Sequence, residues 1–410
     1  MIGQTLDEYQ VDCLYLLVGE NSLPNYIAAI KLAKENSKVI LVHTNQTQIQ
    51  AQCLKKALSV NHNFEISNIH LSSGQDSQEV YDKLAANVQR QAGEVGLHYT
   101  GGTKIMAVHS YRAITDYAPK AIFSYLDPYR SEFCIENHKA CPSKIHIQPN
   151  LSLQDMIQLH GLAFQLGKPP SQDPMIPGLN QKLASLLIME MSYENWCKWL
   201  NSSLQAIYEI ANNPHKELRK EVCGLINIDV LLSSFQSCLS DYFIVRDNFI
   251  DVWESANRYN LLPRDVIKWL YGIWLEDYVL ESVKAIAERC ELHDYGRTLQ
   301  IQRTVLPSWD PYPQFEVDIA FVKGYQLFVI SCTTSYKKAI CKQKLLEVYQ
   351  RARQLGGSEA RIGLVCRHNR PGIIQQELEL LGKNEKIRVF GTPDWEKLPD
   401  NLANWIIDSH

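Results

Sequence analysis

The sequence predicts an α/β protein: a mostly parallel N-terminal sheet wrapped in helices, a helical connector, and a second α/β domain at the C-terminus. Three observations predict this. Short apolar runs alternate with helix-period segments over residues 13–135. Gly167–Gly178 then holds four prolines and two glycines, the clearest linker in the chain. Beyond Pro263 the pattern becomes helix, three-strand meander, helix and strand. At 410 residues the chain is too long for one core of ordinary size, and the expected division is 1–150, 151–262 and 263–410.

Cys13–Val18 is a continuous apolar run ending at Gly19, as a strand buried on both faces requires. Asn25–Glu35 reads as a helix and Lys38–His43 as a second buried strand. Helices follow at Gln46–Leu58 and Ser77–Gln91, with a strand at Ile66–Leu71 between them. Leu97–Thr100 is a strand, Gly101-Gly102 a turn, and Lys104–Asp116 a helix; Ala121–Leu126 and Glu132–Ile135 close the series as strands. From Asn180 to about Arg258 the periodicity is helical, with little strand signal. Asp265–Arg289 reads as one long amphipathic helix. Strands are expected at Thr298–Val305, Phe315–Val322 and Gln326–Cys332, then a helix at Ala339–Leu355 and a buried strand at Arg361–Cys366. Trp196, Trp199, Trp253, Trp269 and Trp274 fall at helical spacings and are expected in the core.

Composition excludes several classes. The chain is 45% hydrophobic and 21% charged, with 41 basic against 45 acidic residues, so no general positive field coats it with nucleic acid. A local basic groove remains compatible with that balance. Eleven scattered cysteines with no Cys-x-x-Cys pair argue against zinc-ribbon and thioredoxin chemistry and fit a reducing cytoplasm. No run approaches the roughly 20 apolar residues of a membrane span, and the N-terminus lacks a signal-peptide layout. A soluble cytoplasmic protein is expected.

Polar loops stand where three predicted strands end. Gly19-Glu20-Asn21-Ser22-Leu23-Pro24-Asn25 joins the first strand to the first helix, a ready anion site. His43-Thr44-Asn45 ends the second strand. Tyr99-Thr100-Gly101-Gly102-Thr103-Lys104 follows a later one: two glycines admit backbone amides to a phosphate, Thr100 and Thr103 offer hydroxyls, and Lys104 offers charge. This is neither a Walker loop nor the three-glycine dinucleotide fingerprint, and a tight turn with a helix cap accounts for it equally well.

The run YTGGTKIMAVHSY (Tyr99–Tyr111), with LVGENSLPNYIAA before it and SYLD (Ser124–Asp127) after it, resembles the CARF domains of CRISPR ancillary proteins. The resemblance implies a Rossmann-like sensor that dimerises and binds a cyclic oligoadenylate, most simply cyclic tetra-adenylate, across the two-fold axis. Gly19, Glu20, Asn21, Ser22, Asn25, His43, Thr44, Asn45, Thr100, Gly101, Gly102, Thr103 and Lys104 would form the site.

In the C-terminal part, Glu276 interrupts an apolar helical stretch and Asp318 an apolar strand, where an unpartnered charge is costly. WLEDYV followed by EVD resembles the PD-(D/E)xK-type, restriction-endonuclease-like domains fused to CARF modules. That resemblance implies Mg²⁺ or Mn²⁺ on Glu276 and Asp318 and cleavage of RNA or DNA. The pattern departs where it matters: Ser331 and Thr333 stand in place of the Glu and Lys of the next strand. Either Lys342, Lys344 and Glu347 on the following helix have taken over, or the domain binds nucleic acid or a protein partner without cutting. Lys342 and Lys344 also fit a solvated helix face, with Arg351, Arg353 and Arg361 adding charge nearby. Cys332 is a lesser alternative as a nucleophile, since no adjacent His accompanies it. Whether the sensor degrades its own ligand stays open.

Overall fold

The computed structural model describes residues 6–127, 130–136, 143–303, 314–379 and 386–408. The end of the strand expected at Thr298–Val305, like one of the eleven cysteines, Cys141, lies outside them. The first apolar run forms β1 (Val11–Leu17), central in a seven-stranded sheet with β2 (Ala33–Thr44), β3 (Glu65–Leu71), β4 (Val95–His98), β5 (Ile122–Asp127), β6 (Glu132–Glu136) and β7 (Ser143–His146). Strand order is β3-β2-β1-β4-β5-β6-β7; the first five are parallel, the last two antiparallel. Alternate β1 residues serve opposite faces: Leu14 and Leu16 pack with helices α1 (Leu23–Leu32) and α2 (Gln48–Asn61). Cys13, Tyr15 and Leu17 pack with α3 (Ser77–Val88) and α4 (Lys104–Tyr117). Helices on both faces explain the unbroken apolar strands.

The chain winds outward from β1 to β3, then returns to start β4 on β1's other side. The strand order therefore reverses between β1 and β4, where loops diverge and leave a crevice at the carboxyl ends.

A second sheet has the order β16-β15-β14-β13-β12-β8, from β8 (Leu162–Phe164), β12 (Leu292–Arg303), β13 (Gln314–Lys323), β14 (Gln326–Thr333), β15 (Arg361–Cys366) and β16 (Ile387–Phe390). β12, β13 and β14 form the expected antiparallel meander, and β15 and β16 run parallel to β14. Gly324, at φ +60°, opens the two-residue turn between β13 and β14. β8 joins this sheet from before the proline-rich linker, so strand pairing crosses the expected boundary between connector and C-terminal domain.

Two cores cover the second sheet. On one face, Val329, Leu345 and Val348 merge through Met156 and Ile157 of α5 (Leu153–Leu159) with the α1–α2 face of the first sheet. The two sheets thus share one continuous apolar core. On the other face, Ile319, Phe321, Phe328 and Ile330 meet the Trp274–Ile286 helix and the region from Ile176 onward. Trp196, Trp199, Trp269 and Trp274 are buried there, while Trp253 is partly so. The region read as a connector packs as one wall of the C-terminal domain. It also holds a small sheet the helical pattern missed: β9 (Leu225–Asn227), β10 (Val245–Arg246) and β11 (Phe249–Asp251), strands too short to show period-two alternation.

The single helix expected at Asp265–Arg289 is three contiguous pieces: an α-turn at Pro263–Lys268, a π-turn at Trp269–Ile273 and the Trp274–Ile286 helix. The π-turn inserts one residue into the helical repeat and rotates the Trp274–Ile286 segment, a device found often beside functional sites.

Candidate functional site: a strand-end crevice and an acidic cleft

The crevice at the reversal point is a cavity of about 540 Å³ lined by the ends of four parallel strands. Val18, Gly19 and Glu20 follow β1; Thr44, Asn45 and Thr47 follow β2; Ser73 and Gly74 follow β3; Gly102 and Thr103 follow β4. Thr103 ties two loops together. Its Oγ1 accepts from the Met106 backbone N–H at 3.1 Å, capping α4, and donates to the Gly74 carbonyl at 2.5 Å. The glycines are there for backbone approach. A Cβ on Gly101 would lie 2.2 Å from the Leu17 carbonyl oxygen, and Gly102 has φ +76°.

The remaining predicted sensor residues divide. Asn25 is buried and donates through Nδ2 to the Leu17 carbonyl, and Ser22 is buried and donates to the Gln50 carbonyl. Both hold the loop's shape from beneath. Asn21 accepts from the Leu23 N–H, and its side chain lies against Gly357 of the C-terminal domain, away from the cavity. Thr100 Oγ1 accepts from the Leu126 N–H at 2.7 Å, joining β4's loop to β5. His43 is buried edge-on to His70, whereas Lys104 is exposed at the start of α4. Among the residues the sequence reading missed are Gln46 and Thr47 after β2 and Ser72, Ser73, Gly74 and Gln75 after β3. A Ser-Ser-Gly run at a strand end was the available signal.

The second site is a cleft of about 700 Å³ between the second sheet and the helical wall. Glu276, one turn beyond the π-turn, and Glu316 line it; Asp318 lies behind them, two residues along β13 on the same face. Burial first, then the charges of Asp318 and Glu316, push the Glu276 carboxyl well above the ordinary carboxylate range. Asp318 and Glu316 are also raised, chiefly by burial. Asp318 is held in place by its neighbours: its Oδ2 accepts from Ser331 Oγ at 2.9 Å and from the Cys332 N–H at 2.7 Å. Ser331 therefore orients the carboxylate rather than adding another.

Asp277, next to Glu276, plays a different part. It is fully buried, with Oδ1 2.9 Å from Arg297 Nε and Oδ2 accepting from Trp269 Nε1 and the Met175 N–H. It ties the linker, the π-turn and β12 together.

The Lys338–Gly356 helix brings Lys344 and Glu347 beside the acidic group, paired with each other at 3.7 Å. Lys344's charge lowers the pKa values of Asp318 and Glu316, and Glu347's raises that of Asp318. Lys342, two residues from Lys344, points about 200° away around the helix. Arg361 does not extend a basic track. It is buried and donates to the Glu359 carbonyl, and Arg351 and Arg353 lie over the rings of Phe315 and Tyr349. The thiol of Cys332 is raised well above its usual value by burial and by Asp318 and Glu276, which removes the thiolate a nucleophile needs.

Mg²⁺ and Mn²⁺ take hard oxygen donors and keep several waters, so two carboxylates such as Glu276 and Asp318 suit them. Among the described residues no group of three or more His, Cys, Asp or Glu is placed to cage a metal. The donor set fits an ion held on one side by protein and otherwise by water.

Comparison with known proteins places the first domain. Residues 13–156 match the family described as the Card1 CARF domain. The sheet order and the strand-end crevice are the Rossmann-like architecture of that domain. No curated protein matches the sequence. Among solved structures, protein VC1899 from Vibrio cholerae superposes with a TM-score of 0.74 at 16% identity, over 97% of this chain and 98% of that one. Can2 from Sulfobacillus thermosulfidooxidans, solved in complex with cyclic tetra-adenylate, gives 0.67 at 17% identity, over 96% and 99%. A type III CRISPR defence DNA nuclease activated by cyclic oligoadenylate gives 0.52 at 18%, over 87% of this chain and 45% of that one. The likeness to VC1899 and Can2 spans both domains, so the whole architecture is shared. No helix among the described residues is long and apolar enough to cross a membrane.

Proposed function

We propose that this chain is a homodimeric effector of type III CRISPR defence that binds cyclic tetra-adenylate in the CARF crevice and, in response, hydrolyses phosphodiester bonds of RNA or DNA in the acidic cleft. One observation carries the reading: a strand-end crevice and a cleft of mutually repelling carboxylates stand on two sheets joined by one apolar core. A shared core lets a shift at one site bias the other.

The crevice suits a ring of phosphates: strand ends and glycines bring backbone close to it, Thr44, Thr47 and Ser73 offer hydroxyls, and among the described lining residues Glu20 is the one carboxylate. Dimerisation has a surface to use. Ile105 and Val108, three apart on α4, are 37% and 62% exposed, and Tyr111 continues the stripe. Covering that stripe with a second copy would set two Gly101-Gly102-Thr103 loops beside each other.

In the cleft, Mg²⁺ or Mn²⁺ bound by Glu276 and Asp318 would supply a counter-charge for the scissile phosphate and acidify a water. The chain's own residues do the rest. Ser331 and the Cys332 amide fix the angle of Asp318. Glu316 lines the cleft beside them, its carboxyl raised from the ordinary range by burial and by Asp318, and can accept or return a proton there. Lys344 brings a positive charge to the flank of Asp318. Asp277 holds the Glu276 helix against Arg297.

A second reading rests on Ser331 and Thr333, which supply hydroxyls where the related motif has a carboxylate and an ammonium. In that reading the cleft binds nucleic acid without cutting it. Purified protein incubated with Mn²⁺, cyclic tetra-adenylate and labelled single-stranded RNA, single-stranded DNA and plasmid separates the two. Cleavage that requires the ring and disappears in Asp318→Asn supports the enzyme. Binding with no cleavage of any substrate supports the second reading, and calorimetry without uptake of the ring ends both.

A further inference from the structure

The cleft carries a feature that phosphodiester chemistry does not use. Tyr208, from the Gln205–Ala211 helix of the middle region, and Tyr271, from the π-turn, stack with ring centroids 3.7 Å apart and planes 5° from parallel. Both line the cleft that holds Glu276 and Glu316. Both remain partly exposed, unlike Trp196, Trp199, Trp269 and Trp274 of the same cluster, which are at most 2% exposed. A pair placed only to fill the core would be covered as those are. Their arrangement is also the face-to-face sandwich that the ring quadrupoles disfavour, closer than the roughly 4.5–7 Å of preferred aromatic pairs. Asn212, one helical turn beyond Tyr208, lines the same wall with an amide that both donates and accepts. Lys268 lies near enough to Glu316 to draw its pKa down, placing positive charge beside the acidic group.

We propose that Tyr208 and Tyr271 form a platform on which an unpaired base of the nucleic acid stacks, which makes the middle helical region the wall that selects single-stranded or locally opened strands. The inference rests on reading the cleft as a nucleic-acid site and adds the substrate's state to it. In a duplex both faces of each base are occupied by neighbours, whereas an unpaired base has π-faces to give. Stacking of that kind is independent of base identity and is worth about 1–3 kcal/mol per base. The platform is a positioning device: a base held there sets where the adjoining phosphate falls relative to Glu276 and Asp318.

Binding of fluorescent oligonucleotides to the full-length protein, with cyclic tetra-adenylate present and divalent ions chelated so that no strand is cut, tests this. The probes are a single strand, the same strand with abasic sites, and a blunt duplex. The wild type is expected to prefer the intact single strand over both others. Tyr208→Leu and Tyr271→Leu keep apolar bulk and should each weaken single-strand binding roughly 5- to 100-fold, erasing the preference for intact over abasic strands. Tyr208→Phe and Tyr271→Phe should restore both, and thermal melting of every variant reports whether the fold is kept. Equal affinity for intact and abasic strands in the wild type, or Leu variants that retain the preference, overturns the platform while leaving a nucleic-acid cleft in place. Failure of the wild type to bind any of the three probes overturns the platform and the reading of the cleft together.

Discussion

The two sites of this chain are made of different material. The CARF crevice is built from backbone: glycines that admit a carbonyl, a threonine that caps a helix, and strand ends that converge at a topological reversal. The acidic cleft is built from ionisable side chains held against their preference, three carboxylates with raised pKa values and a thiol kept protonated. A site of the first kind is intolerant of added atoms and indifferent to pH. A site of the second kind tolerates isosteric change and answers to protons and ions. Substitutions in the two sites can set one of these properties against the other.

The largest effect is expected at Asp277, the buried carboxylate behind the cleft that pairs with Arg297. Asp277→Ala leaves the nearly buried Arg297 without its partner and frees Trp269 Nε1 and the Met175 N–H. Breaking such a buried pair costs about 3–5 kcal/mol, read as a fall in melting temperature or denaturant midpoint. The crevice's counterpart is Gly101→Ala. The new methyl would meet the Leu17 carbonyl at 2.2 Å, backbone that cannot move aside, and overpacking of this kind costs about 1–3 kcal/mol or somewhat more. Gly167→Ala, at positive φ but with open space around it, should cost only about 1 kcal/mol. Gly101→Ala should also abolish uptake of cyclic tetra-adenylate, and an equal effect of the two glycine substitutions on uptake would break the comparison.

The legibility of the two sites follows the same division. The parallel sheet could be read because continuous apolar runs and a Gly-Gly turn are local signals, and the crevice follows once strand order is known. Which loop residues face the cavity could not be read. Asn21, Ser22 and Asn25 look alike in sequence, yet one touches Gly357 and two brace the loop from beneath. Glu276 and Asp318 stood out as charges in apolar runs, while Glu316, two residues before Asp318, was hidden because strand alternation alone explains a polar residue there. The roles of Ser331 and Asp277 depend on partners 13 and 102 positions away in the chain, which no window of sequence displays. The π-turn was read as plain helix because the apolar period continues through it.

Next in size, and opposite in sign to its neighbour, is Glu276→Gln. The carboxyl of Glu276 has a higher pKa in the folded chain than its ordinary 4.5, so the folded state holds that proton more tightly than the unfolded state does. Stability from this group is therefore present at low pH and is lost as pH rises from the ordinary value through the raised one. Near pH 8 the charge opposes folding, and Glu276→Gln should melt several degrees above the wild type. The difference should close as pH falls towards about 4, where both side chains are neutral. Mn²⁺ should raise the melting temperature of the wild type and have little effect on Glu276→Gln. A variant that melts below the wild type at every pH would show that the Glu276 charge, like that of Asp277, is held by a partner in the folded chain.

The smallest effect separates a cap from a ligand contact. Thr103→Ala removes the acceptor for the Met106 N–H and the donor to the Gly74 carbonyl, and losing a helix cap costs about 1 kcal/mol. That change should barely move the melting temperature of a protein this size and should be independent of pH, since no charge is involved. Uptake of cyclic tetra-adenylate should fall further than stability does, because the Gly74 loop is one wall of the cavity and Thr103 is what holds it. Thr103→Ser keeps the hydroxyl and should preserve both. If Ala and Ser variants bind the ring equally, Thr103 only caps α4, and the crevice owes its shape to the glycines alone.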